Sequence, residues 1–194
     1  MNETDLLKQV KNGNPDAFRF LISDYKKLVL HLVGRVISQS DDIEDVCQDV
    51  FLKVFREIKK FRGDSKLSTW IATIAYNTSI SFVKSKSRKG EKYMEEIGLA
   101  EKRWLADDHV LHSENEELQA LLMRMIEKLP VQYRTVITLF YLDEFSYREI
   151  RQITGMPEGT VKSYLSRAKN LLKQKIEKLQ LNEKFYLLPE YAGK

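Results

Sequence analysis

Residues 155–169 read GMPEGTVKSYLSRAK. Gly155 suits the left-handed end of one helix, and Pro157 discourages its continuation. A second helix must then start within a few residues, with Thr160 placed to cap it. At ~100° per residue, Val161, Leu165, Ala168, Leu172 and Ile176 gather on one side of that helix. Lys162, Ser163, Ser166, Arg167, Lys169, Asn170 and Lys173 gather on the other. Short hydroxyls near the helix N-terminus permit close approach to a DNA groove, while lysine and arginine reach phosphates or guanine edges. A solvated basic face on a structural helix has the same composition. The turn before it favours the groove.

Upstream, residues 145–155 read FSYREIRQITG. Ser146 and Glu149 have the spacing of a capping box, and Phe145 and Ile150 flank that cap as a hydrophobic staple. Two short helices with a fixed turn between them make a helix-turn-helix. Before it, apolar residues recur at helical spacing from Leu118 to Leu129, stopping at Pro130, and again at Tyr133, Val136, Ile137, Phe140 and Tyr141.

The N-terminal part is helical by the same criterion. After Asn14-Pro15, a stripe runs from Phe18 through Leu21, Tyr25, Leu28, Leu32 and Val36. Ser40 or Asp41 is placed to cap the next helix, whose stripe is Ile43, Val46, Cys47, Val50, Phe51, Val54, Phe55, Ile58 and Phe61. After the loop RGDSK, a third helix is expected from Ser68 to Lys84. Its apolar face carries Ile71, Ile74, Ala75, Thr78 and Phe82, and its other face carries Trp70, Thr73, Asn77, Ser81 and Lys84. An aromatic ring, an amide, hydroxyls and a cation on one stripe suit unstacked bases and their phosphates. Trp70 serves equally well as core packing. Lys66, Lys86, Arg88 and Lys89 extend the positive track.

The expected architecture is all-α: two small helical domains joined by a charged linker, the second a helix-turn-helix domain. The boundaries fall at 1–85, a linker at 86–113, a second domain at 114–180 and a tail at 181–194. The tail, with Phe185, Tyr186, Leu187, Leu188 and Tyr191, is too apolar to serve solubility alone.

Charge is unevenly placed. Lys and Arg number 32 against 28 Asp and Glu. Five basic residues and one acid lie between Lys84 and Lys92, and six against one between Lys162 and Lys178. Acids cluster at Asp41, Asp42, Glu44, Asp45 and Asp49. Separate basic and acidic surfaces point to two partners. Cys47 is the single cysteine, so no intramolecular disulfide forms and a reducing compartment, the cytoplasm, is expected. Its place among valines reads as packing. No stretch has the ~18 apolar residues of a membrane span, and the N-terminus lacks the apolar run of a secretory signal. There is no phosphate-cradling glycine loop and no Ser-His-Asp context, so no enzyme, cofactor or catalytic residue is expected. His109 and His112 have metal-compatible spacing without further ligands nearby, and no metal site is expected.

Together these segments resemble the extracytoplasmic-function group of bacterial RNA polymerase sigma factors, over residues 14–180. DDIEDVCQDVFLKVFREIKKFRG resembles the helix that docks on the polymerase clamp, and STWIATIAYNTSISFVKSKSR the segment that reads the −10 element. EKLPVQYRTVITLFYLDEFSYREIRQITGMPEGTVKSYLSRAKNLL resembles the −35-reading domain. The resemblance implies that Asp45, Gln48 and Asp49 meet core RNA polymerase. It places Lys66, Trp70, Thr73, Asn77, Ser81, Lys84 and Arg88 at the −10 strand, with Lys66 and the Gly63-Asp64-Ser65 loop at a flipped base. It places Thr160, Lys162, Ser163, Ser166, Arg167 and Lys169 at the −35 element. The partners implied are core RNA polymerase, promoter DNA and an anti-sigma factor, with no direct membrane insertion.

The chain departs from the group's pattern at several positions. Arg151 stands where a small residue usually packs, and must snorkel outward or widen the helix crossing. Tyr164 replaces a frequent arginine, and Tyr76 and Ser81 replace frequent charges. The alternative is an autonomous helix-turn-helix regulator, which binds duplex DNA without polymerase, usually as a dimer.

Overall fold

A computed structural model describes residues 3–37, 39–86 and 118–178. Arg88, Trp104, His109, His112, residues 87–113 of the linker and the tail lie outside the described residues. All regular structure described is helical: α1 (Glu3–Lys11), α2 (Pro15–Val36), α3 (Ser40–Glu57), a 3-10 turn (Ile58–Lys60) and α4 (Leu67–Lys86), then α5 (Leu118–Lys128), α6 (Val131–Ile137), a π-helical turn (Thr138–Leu142), α7 (Tyr147–Thr154) and α8 (Glu158–Lys178). By their contacts the described residues form two compact units. Residues 3–86 group with 148–156, and 118–147 with 157–178.

In the first unit, α2 begins where the sequence dictates. The Asn14 side chain accepts from the Asp16 and Ala17 amides (2.9 and 3.3 Å), and Pro15 takes the first turn. Leu21, Val29, Leu32 and Val33 from α2 and Val46, Val50 and Val54 from α3 are buried with Leu67, Ile71 and Ala75 from α4. Each such side chain contributes roughly 1.5–3 kcal/mol through burial. Helix α1 is not foreshadowed by the apolar pattern. It buries only Leu6 and Val10, one turn apart, and Lys11 donates to the Phe61 carbonyl at 2.6 Å.

Three expectations are corrected. Helix α3 starts at Ser40, so neither Ser40 nor Asp41 is its cap. Gln39 holds that position without a side-chain cap bond, and the Ser40 hydroxyl instead lies 3.2 Å from Asp41. Phe55 is not core but 52% exposed, its ring edge against Phe18 at 5.0 Å. Helix α4 is two-faced only in part: of the expected stripe Ile71, Ala75 and Thr78 are buried and Ile74 and Phe82 half-buried, while Thr69, Ala72, Tyr76 and Ser79 are buried as well.

In the second unit, α8 lies against α6. Val161, Leu165, Ala168, Leu171 and Leu172 are buried on it, as are Tyr133, Val136 and Ile137 on α6. The helix expected to continue through Tyr141 widens at Thr138–Leu142 and ends with the Asp143 amide on the Thr138 carbonyl (3.0 Å) and the Phe145 amide on that of Leu139 (2.9 Å). The extra residue in a π turn shifts the register of the side chains beyond it. Phe140, within that turn, stacks on Tyr147 at 4.9 Å and 14°.

Candidate nucleic-acid interface

The turn between α7 and α8 has the stop that the glycine promised. Gly155 sits at φ 73° with its amide on the Arg151 carbonyl at 2.9 Å. A side chain in this left-handed region costs ~1–2 kcal/mol, whatever space surrounds it. The Thr154 hydroxyl donates to Ile150 and accepts from the Met156 amide. Helix α8 starts at Glu158, three residues earlier than a cap at Thr160 implies. Thr160 therefore lies in its first turn rather than at its cap, and the Pro157 carbonyl takes the Thr160 and Val161 amides (2.9 and 3.0 Å).

The outer face of α8 presents Lys162, Ser163, Ser166, Arg167 and Lys169, all exposed, opposite the buried stripe. Thr160 is half-buried. The Ser163 hydroxyl turns back to donate to Gly159 at 3.0 Å, which leaves its lone pairs outward. Lys162 pairs with Glu158 at 2.8 Å and lies 5.3 Å from the centre of the Tyr147 ring. The hydrogen bond to Glu158, then that carboxylate's charge, raise the lysine's pKa, so it stays cationic. Tyr164 is spent on packing, its ring 5.1 Å from buried Tyr133, and Arg151 points to solvent.

The stripe on α4 is less complete. Asn77, Ser81 and Lys84 are exposed. The Thr73 hydroxyl is committed to the Thr69 carbonyl (2.8 Å). Trp70 is half-buried and tilted against Phe61 at 5.3 Å, so it is neither pure core nor a free platform. Lys66 is exposed and paired with Glu149 at 3.0 Å, where Thr69 also reaches at 3.4 Å. Lys86, expected to extend the positive track, instead pairs with Asp42 at 2.6 Å and lies over Phe82. Gly63, at φ 83°, turns the loop before the helix.

On α3, Asp45, Gln48 and Asp49 are exposed while Val46, Val50 and Val54 line the buried side. Sequence reading missed Leu52, 51% exposed, and misplaced Phe55. Leu52 follows Asp45 by seven and Asp49 by three, and Phe55 follows Gln48 by seven, the signal that could have put them on the same outward face. Cys47 is half-buried, and burial, then the nearby Glu44 charge, push its thiol up to about 11. Such a thiol is a packing group and a poor nucleophile.

Residues 21–89 match the model for Sigma-70 region 2, and residues 119–172 that for Sigma-70, region 4. The ECF RNA polymerase sigma-E factor of Escherichia coli (strain K12) is 36% identical over 182 residues, which cover 90% of this chain and 94% of that protein. The chain belongs to the extracytoplasmic-function sigma factors. The counterpart in Haemophilus influenzae is 35% identical over 188 residues, covering 92% of this chain and 97% of that protein. Two solved structures share the fold at lower identity. One is the sigma factor RpoE bound to the anti-sigma factor NepR from Bartonella quintana, with TM-score 0.60, 23% identity and coverage of 82% and 96% of the two chains. The other is CnrH with the cytosolic domain of CnrY, with TM-score 0.58, 17% identity and coverage of 89% and 95%.

A sigma factor of this group directs RNA polymerase to promoters and is not itself an enzyme. Membership decides against the autonomous regulator. Among the described residues no helix is long and apolar enough to cross a membrane.

Proposed function

We propose that this sigma factor divides promoter recognition between its two regions. Residues 1–85 bind core polymerase and the −10 element, 86–113 link, and 114–180 bind the −35 element, followed by a tail at 181–194. The observation that carries the reading is the outer face of α8, where five polar or basic side chains stand exposed opposite a buried stripe. Lys162, Ser163, Ser166, Arg167 and Lys169, with Thr160 at the helix start, read the −35 duplex. Guanidinium and ammonium groups recognise guanine edges or phosphates, and the small hydroxyls allow close approach. Asn77, Ser81 and Lys84, with Trp70, Thr73, Lys66 and Arg88, handle the −10 strand, where an extruded base is read by its edge. Asp45, Gln48 and Asp49 form an acidic face for a basic polymerase surface, continued by Leu52.

The protein works in the cytoplasm, where polymerase is. An anti-sigma factor is the natural regulator, as NepR is the partner in the Bartonella quintana complex that shares this fold. Run-off transcription from a randomised promoter library, with core polymerase, tests the proposal. Transcripts dependent on this protein should share two spaced upstream elements. Dependence on a single element would overturn the division.

A further inference from the structure

Lys162 has four rotatable side-chain bonds, and a free lysine on a helix surface samples many rotamers that must be surrendered on binding. Here two groups hold it. The Glu158 carboxylate, one turn back on α8, takes its ammonium at 2.8 Å. The Tyr147 ring lies 5.3 Å from the same nitrogen. Tyr147 is itself fixed from behind, its ring stacked on Phe140 at 4.9 Å and 14°, while Phe140 meets Tyr141 edge-on at 4.9 Å. Phe140 belongs to the π turn at Thr138–Leu142. A chain of contacts therefore runs from the π turn through two stacked rings to one cation on the proposed recognition face.

We propose that Tyr147 is a positioning residue for promoter binding, pre-ordering the Lys162 ammonium through the Phe140–Tyr147 stack so that the cation meets −35 DNA without paying for its own ordering. The inference rests on the reading of α8 as the −35 helix. Tyr147 touches no DNA in this scheme and acts through Lys162. An aromatic face suffices, because its quadrupole attracts the cation irrespective of the phenolic hydroxyl. Glu158 fixes the same group from the side and is displaced or retained according to which DNA atom the ammonium meets.

The test is a double-mutant cycle on holoenzyme binding to one fixed promoter, with salt titration of each variant. Lys162→Met should weaken binding and lower the salt slope by about one. Tyr147→Leu should weaken it about two- to five-fold, the range of an exposed cation–π contact, with the salt slope unchanged because the charge remains. Tyr147→Phe should bind as the parent does. In the Lys162→Met background, Tyr147→Leu should have no further effect. A full additive loss in that background would make Tyr147 merely structural and overturn the proposal, as would equal loss with Tyr147→Phe. If Lys162→Met itself changes neither affinity nor salt slope, the assignment of Lys162 to DNA fails first, and this inference with it.

Discussion

Helices α4 and α8 are nearly equal in length, 20 and 21 residues, and both are proposed to face promoter DNA. Their surroundings differ sharply. Helix α8 separates its faces: Val161, Leu165, Ala168 and Leu172 go inward, as does Lys175, while Lys162, Lys169, Lys173 and its serines go outward. Helix α4 is enclosed on most sides, and several of its hydroxyls are satisfied internally. Ser79 donates to Ala75 (2.9 Å), and Thr78 accepts from Lys53 (3.1 Å). Reading an intact duplex groove needs a whole helix face offered to the partner. Handling a melted strand needs only a few edge groups on a rigid support, and α4 supplies that rigidity by being core.

This contrast can be broken by mutation. The largest effect is expected from Ile71→Ala on α4. Its side chain is fully buried, and removal should cost about 2–5 kcal/mol in denaturant unfolding followed by circular dichroism. A loss well under that range would mean α4 is not the central support of its unit. Next comes charge reversal on α3. Asp45→Lys or Asp49→Lys should weaken core polymerase association by roughly 2–5 kcal/mol if the carboxylate faces a buried cationic partner, with helicity intact. Normal holoenzyme formation by both variants would remove the acidic face from the interface. On α8, Arg167→Ala should cost about 1–3 kcal/mol of −35 discrimination for a bidentate base contact, without altering thermal unfolding. Promoter selection identical to the parent's would move Arg167 off the reading face.

The smallest effect separates packing from reactivity. Cys47 ionises near 11 in the fold against a usual 9.0, so alkylation of the native protein should be slow at pH 8 and accelerate through pH 10. The fold holds this proton more tightly than the unfolded chain does. The associated stability is therefore present below pH 9 and lost as pH rises towards 11. Rapid labelling at neutral pH would show that the thiol is activated.

Helix α8 is the most legible part of the sequence, because its amphipathic stripe is bounded by glycine and proline. Its start lies three residues before the one the sequence suggests, because the Pro157 carbonyl already accepts the first intrahelical amides, those of Thr160 and Val161. Helix α4 is harder to read. A helix buried on most sides loses the periodicity that separates faces, so the burial of Tyr76 and Ser79 leaves no local trace. Phe55 is misplaced for the opposite reason: apolar residues that serve a surface carry the same pattern as those that serve a core. The ion pairs of Lys66 and Lys86 join residues 83 and 44 positions apart, and spacing along the chain cannot encode them.

Helix α7 has eight residues and buries two, Ile150 and Ile153. A helix so short does not persist alone in water, since isolated helices below ~12–15 residues are marginal. Its backbone amides can resist exchange with deuterated solvent only while those two isoleucines stay packed. The deuterium uptake of 147–154, followed in the free protein and after polymerase or DNA is added, is thus a built-in clock for the docking of one helix, readable without any attached probe.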